Sequence, residues 1–169
     1  MTFASRQDAL DIQNEMPWEA RDRPATLYQM LRDTVEAFPD RPAISYQLLS
    51  GATDPSQTLT WQQFHEQVCR AANMFRDLRI RETDVVALVL PNALETAIVT
   101  IGAAIAGIVN PINPLLEPEQ IGAILRETDA RVVVTLKAFP KTDIAQKTAE
   151  AVRHAPHVHT VLEIDLNRY

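Results

Sequence analysis

DVVALVLPNALETAIVTIGAAIAGIVNPINP, residues 84–114, is the stretch on which the fold turns. Val85–Leu90 is an unbroken apolar run of strand length, the pattern of a strand covered on both faces. Pro91-Asn92 turns the chain, and the residues from Ala93 to about Ala106 then have the length of a helix. Val109–Ile112 reads as a second short strand, with Pro111 and Pro114 marking its end. A strand, a helix and a second strand in so few residues predict a parallel pair joined by a right-handed crossover.

The alternation continues downstream. Pro118 suits the first position of a helix running to about Thr128, with Ile121, Ile124 and Leu125 on its inner face. Arg131–Leu136 is the next strand, Thr142–His154 a polar helix and Thr160–Ile164 a last strand. Upstream, Thr60 and Gln63 form a capping-box pair, in which each side chain bonds the other residue's free backbone N–H. Behind it Trp61, Phe64, Val68, Ala71, Ala72, Phe75 and Leu78 make one apolar stripe, and Arg76 and Arg79 complement the dipole at the helix end. Pro42–Tyr46 and Gln57–Thr60 are strand candidates around the loop at 50–56, which makes a hairpin. Leu27, Met30, Leu31, Val35 and Phe38 recur at helical spacing behind Thr26, a cap. Residues 1–25 carry no sustained periodicity and read as an extended arm. The expected architecture is a three-layer α/β/α domain with a mainly parallel sheet, preceded by a helix and a β-hairpin, with residues 26–169 as one unit.

Composition narrows the function. The chain has 169 residues, 46% hydrophobic and 22% charged, as a globular domain requires. A net charge of −6 without a Lys/Arg cluster argues against a nucleic-acid partner. Cys69 is the single cysteine, which excludes an internal disulfide and favours a reducing compartment. The N-terminus has no basic segment followed by an apolar run, so no signal peptide is predicted, and cytoplasm is the expected location. The apolar stretch Ala97–Val109 is too short to cross a bilayer, which takes about 20 residues, and reads as a buried helix.

Reactive side chains are few. His154, His157 and His159 lack a Cys or carboxylate at a spacing that would complete a zinc set, and a solvated helix end explains them. Cys69 shares a helix face with His65, but a thiol nucleophile needs access and an oriented base, so packing is the better reading. Arg126, Glu127 and Asp129 read as a charged helix terminus. Trp61 falls on the apolar stripe and reads as core, whereas the sequence does not decide Trp18. The four glycines, Gly51, Gly102, Gly107 and Gly122, stand too far apart to make a phosphate-cradling loop. No residue is therefore assigned a catalytic, cofactor-binding or metal-binding role.

Several segments in order resemble the adenylate-forming acyl-CoA synthetase superfamily. Leu59-Thr60-Trp61-Gln62-Gln63-Phe64 is similar to its Leu-Thr/Ser-Tyr-x-Glu-Leu motif, with Trp61 and Gln63 as departures. Asp84–Asn92 resembles its GDRVALLLPN strand and turn, and Gly102 through Pro114, with Ala-Gly-Ile-Val-Asn-Pro-Ile-Asn-Pro in place of AGAVVVPLNP, resembles the segment that follows. Pro39–Ala43, Glu117–Glu127 and Ala130–Val134 follow the same order, so that the resemblance spans roughly residues 26–136. It implies the first subdomain of the family's large N-terminal domain. It also implies a parent enzyme that uses ATP, Mg²⁺ and CoA to convert a carboxylic acid, for instance a fatty acid, first to an acyl-adenylate and then to acyl-CoA. The family's phosphate loop, adenine-binding motif, ribose-binding Asp and catalytic Lys have no counterpart here. The expectation is an N-terminal fragment that is inactive alone, partnered by the remaining domains of its parent and able to self-associate through an uncovered face. The alternatives are a complete non-catalytic interaction module of the same fold, or an unrelated α/β regulatory domain.

Overall fold

The computed structural model describes residues 5–49 and 51–167, so residues 1–4 of the expected arm, Ser50 of the hairpin loop and the last two residues lie outside it. Four parallel strands, β3 (Val85–Val89), β4 (Ile108–Ile112), β5 (Val132–Leu136) and β6 (Thr160–Ile164), form a sheet in the order β4-β3-β5-β6. Helix α4 (Leu94–Ala106) links β3 to β4, α5 (Pro118–Glu127) carries the chain back across β3 to β5, and α6 (Ile144–Val152) links β5 to β6. Crossovers that leave β3 in opposite directions, both right-handed, put α4 on one face of the sheet and α5 and α6 on the other. Accordingly α4 packs on α3 (Trp61–Asp77), and α5 packs on α6. The three-layer expectation is correct.

Burial follows position in the sheet. In the central strands Val86, Ala87, Val132 and Val133 are fully buried. In the edge strand β6 half-buried and exposed residues alternate. At the other edge β4 carries Pro111, which has no N–H to offer a further strand. Asp84 ties the lower ends of the strands together. Its carboxylate accepts the Arg81 backbone N–H at 2.8 Å and pairs with Arg131 Nε at 3.1 Å, and its carbonyl accepts the Ile108 N–H at 2.9 Å.

The Thr60–Gln63 capping box opens α3 as the residue pattern requires, with both reciprocal bonds formed at 3.0 and 3.3 Å. Two helices end in Schellman motifs built without glycine. After α3, Arg79 N–H donates to the Arg76 carbonyl and Ile80 N–H to that of Phe75. After α5, Asp129 and Ala130 do the same to Arg126 and Leu125. Arg79 and Asp129 thus sit at φ 64° and 50°, a left-handed conformation that costs an L-residue about 1–2 kcal/mol. Replacing Arg79 by glycine is expected to raise stability by about 0.5–1 kcal/mol, glycine's greater unfolded-state entropy cancelling part of the relief. A urea melt that moves to a lower midpoint would contradict this.

Upstream, β1 (Pro42–Gln47) and β2 (Ser56–Thr60) pair as the expected antiparallel hairpin. The N-terminal arm differs from expectation. Where the composition predicts an extended lead-in, Arg6–Glu15 forms helix α1, followed by a single 3₁₀ turn at Trp18–Ala20. The cause is local: Ser5 and Asp8 form a capping box that needs no apolar stripe behind it, and no residue of α1 is buried. Helix α2 (Leu27–Ala37) differs in another way, since of its four periodic apolar residues and the Phe38 that caps it only Leu31 is buried.

The C-terminal ends of β5 and its neighbour, the edge strand β6, are clasped by an ion pair, Lys137 Nζ to Asp165 Oδ2 at 2.9 Å. Hydrogen bonds from Lys137 and from the side chain and backbone of Asn167 hold the Asp165 carboxyl down at about 2, against an ordinary 3.8. The folded chain therefore keeps this carboxylate ionised where an unfolded chain would protonate it. Its contribution is complete above the unfolded value and fades as the pH falls towards 2. A carboxyl carbon titration of Asp165 by NMR is expected to show a midpoint near 2. A midpoint at the ordinary value would mean the clasp is open in solution.

Candidate binding groove

A groove of about 810 Å³ lies between α2, β1, α3 and α4. Leu27, Met30, Leu31 and Thr34 come from α2, and Ile44, Ser45 and Tyr46 from β1. Trp61 and Phe64, set edge to face at 6.3 Å, come from the first turn of α3. The remaining wall starts at the turn after β3 with Asn92 and runs along α4 through Thr96, Ala97, Thr100 and Ile101. These α4 residues lie on one face because positions four apart align on a helix.

No charged side chain lines the groove. Its threonine hydroxyls are already committed as donors: Thr34 to the Met30 carbonyl at 2.7 Å, Thr96 to Pro91 at 2.6 Å and Thr100 to Thr96 at 2.6 Å. Burial pushes the Tyr46 phenol above its ordinary pKa, so it stays neutral near pH 7. An anion placed here would lose hydration without gaining a counter-charge. The groove suits an uncharged apolar occupant.

The sequence candidates are scattered. His65 Nε2 lies 3.4 Å from Cys69 Sγ and its ring faces Tyr28 at 6.0 Å, beside a second, half-polar cavity that Cys69 and Arg76 help to line. Burial raises the Cys69 thiol and Arg76 only partly offsets this, so the sulfur is a neutral thiol rather than a nucleophilic thiolate. His157 pairs with Asp129 at 3.4 Å on the surface, His159 contacts Thr160, and His154 offers its backbone carbonyl to Arg126. No group of three metal-ligating side chains forms among the described residues. Asp129 is accounted for as a helix-terminating residue. Trp18 is 60% exposed with the Arg23 guanidinium stacked 3.9 Å from its ring. Trp61, expected in the core, is only half-buried because it forms the groove wall. Sequence reasoning missed the groove. The one signal that pointed to it was the run Ala97–Val109, which carries no charge on any side.

A doubly wound parallel sheet with a helix-and-hairpin annex defines the class: an α/β domain with an uncharged groove between the annex and α4. The chain belongs to the AMP-binding enzyme family, whose model matches residues 31–168. It is 33% identical over 122 residues to the marinolic acid–CoA ligase of Pseudoalteromonas sp. (strain SANK 73390), a match covering 72% of this chain and 19% of that protein. Among solved structures, a Mycobacterium tuberculosis fatty acyl CoA synthetase superposes with a TM-score of 0.67 at 24% identity over 82% of this chain and 26% of the other. The N-terminal domain of FACL13 from the same organism gives 0.66 at 24% identity, with 82% of this chain and 33% of that domain covered. These two likenesses show the fold. The chain spans about a fifth of the curated relatives it matches. Among the described residues no helix is long and apolar enough to cross a membrane.

Proposed function

We propose that this chain is the first subdomain of an ATP-dependent acyl-CoA synthetase, that residues 26–169 form that subdomain behind the 1–25 arm, and that it supplies framework rather than reacting groups. The single observation that carries the reading is the family match over residues 31–168, alongside a match that covers only about a fifth of a CoA-ligase relative. The parent joins a carboxylic acid to ATP, releasing pyrophosphate, and the CoA thiol then displaces AMP from the acyl-adenylate. Both steps leave negative charge on a departing phosphate group and need amide donors, a Lys and Mg²⁺ to stabilise it.

The residues present do not fit ATP. Gly102 and Gly122 lie inside helices α4 and α5, and Gly107 ends α4 against the carbonyls of Asp84 and Arg81. None of the three opens a helix N-terminus onto a phosphate. With its uncharged lining, the groove does not suit a triphosphate either. No step of the reaction is therefore assigned to this chain, and ATP, Mg²⁺, CoA and the carboxylic acid belong to the remaining domains of the parent. The lone, neutral Cys69 agrees with a reducing, cytoplasmic setting.

The purified chain is expected to show no ATP–pyrophosphate exchange above buffer with fatty or aromatic acids. Acid-dependent exchange by residues 1–169 alone would overturn the proposal. The exposed groove favours one other reading, a non-catalytic interaction module that keeps the fold, and the reading frame after codon 169 separates the two.

A further inference from the structure

We draw no further inference here: the strongest candidate, the uncharged groove between α2, β1, α3 and α4 with the half-exposed side of α4 beside it, is an unpartnered apolar face, and nothing in the structure shows what covers it.

Discussion

Phe75→Ala is expected to destabilise the chain by about 3–5 kcal/mol, the cost of deleting a buried aromatic side chain and leaving a partly collapsed cavity. Phe75 is fully buried on the inner stripe of α3, in the same cluster as Val68 and Ile80. It also opens the Schellman motif, where its carbonyl receives the Ile80 N–H at 3.0 Å. In that motif the residue after the turn packs on the side chain it closes over, so losing the ring also loosens the end of α3. Domains of this size hold about 5–15 kcal/mol in all, so the variant is left marginal. Its thermal midpoint is expected to fall by roughly 10 °C, at about 2–4 °C per kcal/mol. A urea midpoint within error of the parent would mean that α3 does not form the core wall described here.

Gly102→Val is expected to cost about 2–3 kcal/mol, and Gly102→Ala about 1–2, although both replacements favour an isolated helix. A Cβ at Gly102 would stand 2.7 Å from the Ala71 Cβ and 3.1 Å from the Ala72 backbone nitrogen. These are short, stiff groups, so α3 and α4 would have to separate. For alanine the helix preference returns at most about 1 kcal/mol, less than overpacking of about 1–3 kcal/mol takes away. The sign of Gly102→Ala is the informative result. A stabilised variant would show that the two helices are further apart in solution. Separation of α3 from α4 would also widen the groove, whose walls they share.

Features that depend on neighbours a few residues apart were legible. Thr60 and Gln63 announce the start of α3, Pro118 the start of α5, and the run Val85–Leu90 a strand covered on both faces. The motifs around Leu59–Phe64, Asp84–Asn92 and Ala106–Pro114 pointed to the family that the residues 31–168 match establishes. One local signal went unread: Ser5 and Asp8 cap α1, and the absence of an apolar stripe hid the helix behind them.

Burial was less legible, because it depends on what lies opposite. Leu27, Met30, Leu31, Val35 and Phe38 have the spacing of an inner face, yet Met30 is 49% and Phe38 43% exposed. Periodicity reports which side of a helix is apolar, not whether anything covers it. Trp61 is the same case, lying on the core stripe of α3 and yet ending as a groove wall.

By itself the sequence determined the order of elements from Thr26 onward, the starts of α2, α3 and α5 and the right-handed crossovers of a parallel sheet, since these rest on contacts within a turn or on the handedness of a single βαβ unit; the strand order β4-β3-β5-β6 came from the fold. Only the tertiary structure decided that residues from Leu27 to Ile101 converge on one uncharged groove and that α4 keeps an apolar side open. That convergence comes from packing four elements distant in sequence, and no spacing along the chain encodes the distance between them.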